Sequence, residues 1–335
     1  MHAENVNKPL QHRGLKIAIA IGVLITAVFL LGPVNEFGPD IPTNRANPPA
    51  ELNALDSWLA HSESSFDQLR AGTAKGIVWA SELKTQTPWS VVYIHGFSAT
   101  RLETAPLAEQ VASSLGANLY YTRLSGHGLD GDALAKASAQ DWMADTIEAI
   151  QIGKLLGKKV LVISCSTGST LSTWYATRSD ASNVDAHVFI SPNFGLRNKL
   201  SELINGHWGQ QIAFAVSGDS IRYEQTDPRE ALAWTNSYPT QSLFPMLALV
   251  KKARESDLTL FKQPLLVLYS AADQTVDPEN TKEVFSRIGS TQKTIEAITY
   301  SNSKGQHVLT GAIRDPDSVS TMSNEIVQWL KDLNL

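Results

Sequence analysis

A serine flanked by small residues lies between an apolar run and a stretch typical of a helix. The pentapeptide Ser164-Cys165-Ser166-Thr167-Gly168 follows residues 160–163 (VLVI) and opens a helix-like segment. A strand that turns directly into a helix around a central serine strains that residue and lifts its hydroxyl out of the strand ends. Ser164 and Gly168 are small enough to keep this tight turn free of clashes. The pattern therefore predicts that Ser166 is a nucleophile and that the chain is a serine hydrolase.

A serine nucleophile needs a base and an acid that orients the base. Where the nucleophile lies on such a turn, the chain order is nucleophile, acid, histidine. Asp273 comes soonest after the apolar run 265–269 and is the predicted acid. Asp277 is the alternative, although its place before Pro278 is more typical of a turn or a helix start. His307 is the only histidine that follows either aspartate, so it is the predicted base.

Two backbone N–H groups must converge on the negative oxygen that develops during acyl transfer. Thr167, the residue after the nucleophile, is predicted to supply one of them. The other is expected from the loop His95-Gly96-Phe97-Ser98, where Gly96 permits close approach and the Phe97 amide is the predicted donor. His95 precedes the acid in the chain, so a structural or pocket-lining role is predicted for it.

The remaining nucleophile and histidine candidates receive other roles. Cys165 has β-branched residues two positions away on both sides, which are too bulky for the tight turn, so we expect a buried, inert thiol. His127 is expected near the pocket rim, and His207 either touches substrate or is a solvated surface residue. The other histidines show no ligand spacing, so no metal site and no cofactor are predicted; they are His2, His12, His61 and His187.

Composition and charge exclude several classes of protein. The 335 residues are 43% hydrophobic and 18% charged, which is typical of a globular protein with a sizeable core. The net charge is −5 and no basic cluster interleaves with aromatic residues, so nucleic-acid binding has little support. A single cysteine excludes both an intramolecular disulfide and a cysteine-based metal site.

The N-terminal segment is unlike the rest of the chain. Residues 17–31 (IAIAIGVLITAVFLL) carry no charge and follow Lys8, Arg13 and Lys16. No small-x-small cleavage pattern comes after the run, so residues 1–32 are interpreted as a cytoplasmic N-terminus and an uncleaved signal anchor. The basic flank then places the catalytic domain on the extracytoplasmic, periplasmic side. The alternative is a cleaved signal peptide and a secreted protein.

Residues 33–49, rich in proline and asparagine, are expected to form an extended linker before a domain over 50–335. Short apolar strands alternate with amphipathic helices through that domain, which predicts an α/β fold with a mostly parallel sheet between helical layers. The alternation breaks over about 192–262, where helix-like segments contain Trp208 and Phe214. We interpret this segment as a helical cap over the strand ends that contributes pocket residues; extra core helices are the alternative.

Several segments together resemble the α/β-hydrolase superfamily, and within it the carboxylesterase and monoacylglycerol-lipase group, which is close to the serine aminopeptidases. The similarity covers about 91–333, and its matching segments are 94–99 (IHGFSA), 123–128 (RLSGHG), Asp141-Trp142, the serine turn, 270–276 and 305–308. The resemblance implies an α/β-hydrolase fold, the triad Ser166, Asp273 and His307, and oxyanion amides at Phe97 and Thr167. It also implies a cap that binds part of an ester. Ser164 and Ser169 depart from the family's Gly-x-Ser-x-Gly-Gly.

The leading hypothesis is a membrane-anchored serine carboxylesterase or a lipase acting on monoacylglycerols or lysophospholipids. Its substrate would be a small-molecule or lipid ester, and the pocket candidates are His95, His127, Trp208 and Phe214. A thioesterase, peptidase, haloperoxidase or acyltransferase on the same fold is a second hypothesis, since a fold does not fix the reaction. A binding protein that has lost activity is a third.

Overall fold

The computed structural model describes residues 8–333 and 335, with side chains from residue 13 onward. Residues 1–7, the start of the expected cytoplasmic segment, which include His2, lie outside the described residues. The described residues contain nine strands: β1 (Gly76–Val78), β2 (Thr87–Ile94), β3 (Asn118–Tyr121), β4 (Gly157–Cys165), β5 (Ala186–Ile190), β6 (Ser220–Arg222), β7 (Ser237–Pro239), β8 (Leu265–Tyr269) and β9 (Lys293–Ala297). Seven of them form one sheet in the order β1-β3-β2-β4-β5-β8-β9, parallel except for β1 at the edge.

Eleven α-helices lie within the described residues. They are α1 (Lys8–Leu30), α2 (Leu52–Glu63), α3 (Leu107–Leu115), α4 (Gly131–Lys136), α5 (Ala139–Leu156), α6 (Thr167–Ala176), α7 (Gly209–Ser217), α8 (Glu230–Ala233), α9 (Leu243–Glu255), α10 (Pro278–Arg287) and α11 (Ser318–Asp332). The predicted start of α5 is confirmed, because the Ser138 hydroxyl accepts from the Asp141 amide while the Asp141 carboxylate accepts from the Ser138 amide. The expected α/β-hydrolase fold, with helices on both faces of a mostly parallel sheet, is confirmed.

Alternation along the central strands builds the two layers of the core. In β2, Val92 and Ile94 pack on the side of α2, α5, α6 and α9. Val91 and Tyr93 face the opposite side, toward α3 and α11. All four are fully buried, as expected for a parallel strand covered on both faces. The carboxyl ends of β2, β4, β5 and β8 therefore meet at one edge of a rigid sheet.

The segment 192–262 contains more than the three helices expected there. The expected helix over 196–204 is a 3₁₀ helix at Lys199–Asn205, while α7 and α9 lie close to the predicted positions. The short helix α8 and the antiparallel ribbon of β6 and β7 have no counterpart in the sequence-based interpretation. Strands of three residues are too short to show an alternating pattern, which explains why the ribbon was missed.

Residues 33–45, which we call the strap, run along the surface of the domain and do not extend away from it as a linker would. Four polar side chains of the strap hydrogen-bond to the domain: Asn35 to Asn205 and the Phe244 carbonyl, Asp40 to Trp174, Thr43 to Asp141, and Arg45 to Ser125. Ion pairs join Asp40 to Lys252 and Arg45 to Asp145. The expectation was an extended linker over 33–49; residues 33–45 instead contact the domain, because their polar side chains find partners far away in the sequence.

The helix α1 is the only candidate membrane span among the described residues. Its segment Arg13–Leu30 has a mean hydropathy of 2.0 and none of it is buried against the rest of the protein. By length and composition it can cross a membrane, a test that signal sequences also pass. Where α1 ends, the Trp208 indole donates to the carbonyls of Val28 and Phe29, at 3.3 and 3.1 Å.

Candidate active site

Ser166 lies on the turn between β4 and α6. Its backbone angles, φ 51° and ψ −117°, are strained for a residue with a side chain. The turn is held by hydrogen bonds from the Ser166 amide to the Ile190 carbonyl and from the Asn193 amide to the Ser166 carbonyl. Gly168 is required here because a Cβ on it would lie 2.2 Å from the Ile94 carbonyl oxygen. The local sequence thus produces the strained turn that exposes a serine hydroxyl.

The two serines that depart from the family's glycine pattern contact each other. The Ser164 hydroxyl donates to the Ser169 hydroxyl at 3.1 Å, and the latter donates to the Ser164 carbonyl at 3.0 Å. Both residues are fully buried, so each hydroxyl needs such a partner. The departures are therefore a matched pair, and the turn forms around them.

Three side chains from distant parts of the chain form one hydrogen-bonded row. The His307 Nε2 atom lies 3.0 Å from the Ser166 hydroxyl, and Nδ1 lies 2.8 Å from the Asp273 carboxylate. Because the carboxylate accepts from Nδ1–H, Nε2 is the free acceptor for the serine proton. The other Asp273 oxygen accepts from the amides of Thr275 and Val276, which fixes the carboxylate in place.

The alternative acid, Asp277, has a different structural role. Its carboxylate accepts from the Glu279 amide at the start of α10, with Pro278 as the first residue of the helix. It also pairs with Lys199. This is the helix-start position that the sequence indicated for Asp277.

The loop that carries His307 is tied to its surroundings by Gln306. Its amide nitrogen donates to the carbonyls of Ser301 and Ser303, while its oxygen accepts from the Ser270 hydroxyl. Gln306 has a left-handed backbone with φ 53°. Because Ser270 precedes Asp273 by three residues, Gln306 holds the acid and histidine loops together.

The Phe97 amide is oriented by the peptide before it. The Gly96 carbonyl accepts from the Ala99 amide at 3.3 Å and from His95 Nδ1 at 2.9 Å. In a trans peptide the carbonyl and the following N–H point in opposite directions, so the Phe97 N–H is turned away from His95. Thr167 is the first residue of α6, where amides have no partner within the helix. Within residues 8–333, neither the Phe97 nor the Thr167 amide donates to another protein atom.

His95 and His127 do not line the cavity above Ser166, contrary to the expectation for pocket candidates. Both are buried behind the Phe97 ring, with their own rings 4.9 Å apart. His95 Nε2 accepts from the Leu124 amide at 3.0 Å. Burial lowers the pKa of His95 to about 4 and holds the pKa of His127 well below its usual value. Both therefore act as neutral, structural side chains.

Trp208 and Phe214 are also absent from the cavity lining. Trp208 begins α7 and its indole contacts the end of α1, while its amide donates to the Pro33 carbonyl. Phe214 is partly exposed and packs edge-on against Phe244. Trp208 and Phe214 were expected to face substrate, but Trp208 instead connects the segment 192–262 to α1, and Phe214 packs within that segment against α9.

A cavity of about 310 Å³ opens above Ser166, His307 and the Thr167 amide. Part of its lining is apolar or aromatic: Phe97, Leu196, Trp234, Tyr238, Leu243 and Met246. Another part holds the ion pair between Glu230 and Arg314 at 2.8 Å, together with Lys304. Nothing in the sequence pointed to Glu230 or Arg314, since they are 84 residues apart and neither belongs to a recognisable motif.

Cys165 is fully buried and faces away from this cavity. Burial raises the pKa of its thiol well above the usual value, and the nearby Glu103 carboxyl acts in the same direction. The thiolate is the reactive form of cysteine, so this side chain is chemically inert, in line with the expectation. Among the described side chains, no three histidine, cysteine or acidic residues are grouped as metal ligands would be.

Comparisons with known proteins agree with this architecture. A thermostable monoacylglycerol lipase from Bacillus sp. (strain H-257) is 26% identical over 208 residues, which cover 62% of this chain and 80% of the lipase. A structure described with LipS and LipT, two metagenome-derived lipolytic enzymes, superposes with a TM-score of 0.62 at 21% identity, covering 79% of this chain and 100% of that one. A soluble variant of monoglyceride lipase from Saccharomyces cerevisiae gives 0.58 at 13% identity, with coverages of 77% and 91%. At these identities the two structures show a shared fold.

The family comparison is more specific. Residues 85–301 match the family described as serine aminopeptidase, S33. The match begins just before β2 and ends beyond β9, so it includes the loop that carries Phe97, the serine turn and the loop that carries Asp273. Because it spans well over half of the 335 residues, this chain belongs to the serine aminopeptidase S33 family of α/β hydrolases.

Proposed function

We propose that this chain is a serine hydrolase that cleaves carboxylic esters with one acyl chain through an acyl-enzyme on Ser166. One observation carries the proposal: a hydrogen-bonded row of Ser166, His307 and Asp273 lies below a cavity. Beside it are the amides of Phe97 and Thr167, which have no hydrogen-bond partner among the described residues. His307 takes the serine proton as the hydroxyl attacks the ester carbonyl, and the two amides donate to the resulting oxyanion. His307 then gives the proton to the leaving alcohol, and afterwards activates the water that releases the acid.

The size and lining of the cavity support a monoacyl ester as substrate. A volume of about 310 Å³ is at the low end for small-molecule sites, which favours one acyl chain over several. Apolar side chains such as Leu243 and Met246 suit the acyl part, and the pair of Glu230 and Arg314 suits a hydroxylated alcohol such as glycerol. The monoacylglycerol lipase that resembles this chain supports the same choice.

A peptidase acting on free N-termini has less support. Such an enzyme needs an uncompensated carboxylate to receive the substrate ammonium group. Glu230 is the buried carboxylate of the cavity, yet one oxygen pairs with Arg314 and the other accepts from the Thr226 amide. The charge of Glu230 is therefore compensated, which leaves Glu224, an exposed residue of the lining, as the carboxylate that could receive an ammonium group.

We further propose that α1 remains attached as a signal anchor with the domain on the extracytoplasmic side. The contacts of Trp208 with Val28 and Phe29, and of His207 Nδ1 with the Gly32 carbonyl at 3.0 Å, join the end of α1 to the segment 192–262. Cleavage just after residue 31 would remove the two carbonyls that Trp208 contacts, whereas Gly32 and its contact with His207 would stay with the domain. Immunoblotting of the protein in isolated membranes tests this, since a cleaved product would be shorter and released.

The catalytic proposal is tested with the full chain in detergent and p-nitrophenyl esters of graded acyl length, with thioesters and aminoacyl amides as competing substrates. Ser166→Ala should abolish ester turnover and labelling by a fluorophosphonate probe. Ser172→Ala is a matched control, because Ser172 is a buried serine of the same helix whose hydroxyl donates to the Gly168 carbonyl. Full ester turnover by Ser166→Ala, or faster thioester or amide hydrolysis by the unmodified chain, would contradict the proposal.

A further inference from the structure

A carboxyl group lies directly behind the loop that carries the Phe97 amide. Glu103 ends a 3₁₀ turn (Arg101–Glu103) shortly after that loop, and only 1% of the residue is exposed. Its Oε1 atom accepts from the Gly96 amide at 2.8 Å and from the Tyr93 hydroxyl at 2.9 Å. Two donors thus converge on one buried side chain that takes no direct part in acyl transfer.

Gly96 is enclosed between Glu103 and the nucleophile. A Cβ built on Gly96 would lie 3.1 Å from Ser166 Cβ on one side and 3.2 Å from Glu103 Oε2 on the other. The hydrogen bond to Glu103 fixes the peptide before Gly96, and the contact between His95 Nδ1 and the Gly96 carbonyl fixes the peptide after it. The orientations of the two peptide groups that flank Gly96 are therefore fixed, and the peptide group after Gly96 contains the Phe97 N–H.

The turn that carries Glu103 is itself held firmly. The Glu103 amide donates to the Thr100 carbonyl at 3.0 Å, and the Thr100 hydroxyl donates to the Ala233 carbonyl at 3.1 Å. A Cβ on Gly311 would come within 2.9 Å of the Glu103 carbonyl oxygen, so the chain packs closely behind the turn. Burial raises the pKa of Glu103 to about 7, which shows how little solvent reaches this carboxyl.

We propose that Glu103 is a positioning residue for the oxyanion hole: by accepting from the Gly96 amide, it holds the Phe97 N–H toward the oxygen that becomes negative. The inference rests on the proposed function, because it assigns Glu103 a role in the same acyl-transfer step. Both hydrogen bonds reach Oε1, so the acceptor oxygen and its distance from Gly96 matter more than the charge.

Three substitutions separate these effects. Glu103→Gln keeps an amide oxygen that can accept at the position of Oε1 without a negative charge. Glu103→Leu keeps the size but removes the acceptor. Glu103→Asp keeps a buried carboxyl but withdraws it from the Gly96 amide by about one C–C bond, ~1.5 Å. Glu148→Gln is the control, because Glu148 is a buried carboxylate paired with Lys75 outside the active-site cavity.

The readouts are kcat and KM for a p-nitrophenyl ester, and inhibition constants for two ligands: an alkyl trifluoromethyl ketone, which forms an oxyanion on Ser166, and the product fatty acid. Loss of one oxyanion donor lowers kcat by about 10²–10³-fold. We expect a loss of about 10²-fold in kcat for Glu103→Leu and Glu103→Asp, with KM within about threefold. Ketone affinity should fall in proportion to kcat while fatty-acid affinity stays unchanged. Glu103→Gln should retain kcat within about fivefold.

If Glu103→Gln and Glu103→Leu lose equal amounts of kcat, the negative charge of Glu103 and not its acceptor oxygen would be what matters, and the proposal would be wrong. Parallel losses of ketone and fatty-acid affinity, or full activity in Glu103→Asp, would also overturn it. If Glu103→Leu does not fold, the comparison of Glu103→Asp with Glu103→Gln decides the question. Ester turnover by the unmodified chain, together with its loss in Ser166→Ala, tests the proposed function separately from this inference.

Discussion

His187 lies in β5 with its ring buried between aromatic neighbours. The rings of Phe261 and Phe189 are 5.0 and 5.8 Å away, and within residues 13–333 neither ring nitrogen of His187 has a hydrogen-bond partner. Burial alone lowers the pKa of His187 to about 3 from the usual 6.5. In the folded protein the ring stays neutral, whereas in the unfolded chain it takes up a proton once the pH falls below about 6.5.

The unfolded state therefore binds more protons between about pH 6.5 and pH 3, and the free energy of unfolding falls as the pH falls through that window. Each pH unit in this range corresponds to about 1.4 kcal/mol for one such group. From pH 7.5 to pH 5.0, His187 should account for a loss of about 2 kcal/mol, on the order of a fifth of a typical folding free energy.

Urea unfolding of the full chain in detergent, at pH 7.5 and pH 5.0, measures this loss. His187→Phe should lose about 2 kcal/mol less than the unmodified protein between the two pH values, and constant packing effects cancel in the difference. His61→Gln replaces an exposed histidine and should leave the difference unchanged. Because the pKa values of His95 and His127 are also lowered by burial, these two residues should still make the free energy of unfolding depend on pH in every variant. An equal loss in His187→Phe and the unmodified protein would refute the reasoning.

Three further predictions concern the serine turn and the acid. Ser169→Ala should lower the free energy of unfolding in urea by about 1–3 kcal/mol, because it leaves the Ser164 hydroxyl buried and unpaired. The double variant Ser164→Ala/Ser169→Ala should lose about 1 kcal/mol less than the sum of the two single variants. Strict additivity would show that the two hydroxyls do not interact. Gly168→Ala should lower the unfolding free energy by at least about 3 kcal/mol, seen as a large fall in Tm, since its Cβ collides with the Ile94 carbonyl; an unchanged Tm would contradict this. Asp273→Asn should lower kcat for p-nitrophenyl esters by about 10⁴-fold with little change in Tm, and a loss below about tenfold would argue against Asp273 as the acid.

The sequence predicted best those elements whose pattern is local. β5 and β8 have the bounds expected from their apolar runs, because fully buried parallel strands contain few polar interruptions. The serine turn was predicted from five consecutive residues. His307 could then be assigned as the base because it is the only histidine after the predicted acid. Chain order is a property of the sequence, so it could be used without coordinates.

What was missed depends on pairs of residues that are distant in the chain. The ion pair of Glu230 with Arg314 and the contact of Trp208 with α1 arise only when loops meet above or beside the sheet. No periodic pattern marks either of them. Glu103 likewise looks like an ordinary surface acid in the sequence, and only its burial beside Gly96 shows otherwise. Side-chain roles in loops therefore need tertiary contacts before they can be assigned.

The course of the strap decides where the chain can be shortened. A fragment that starts at residue 50 would discard Asn35, Asp40 and Arg45, and would leave the Trp174 indole and the nearly buried Asp145 carboxylate without those partners. An expression fragment should instead begin at Pro33, just after α1 and Gly32, so that every docked residue is retained. The same geometry leaves only a few residues between α1 and the folded body, so under the proposal that α1 is a membrane anchor the domain would stay close to the bilayer surface.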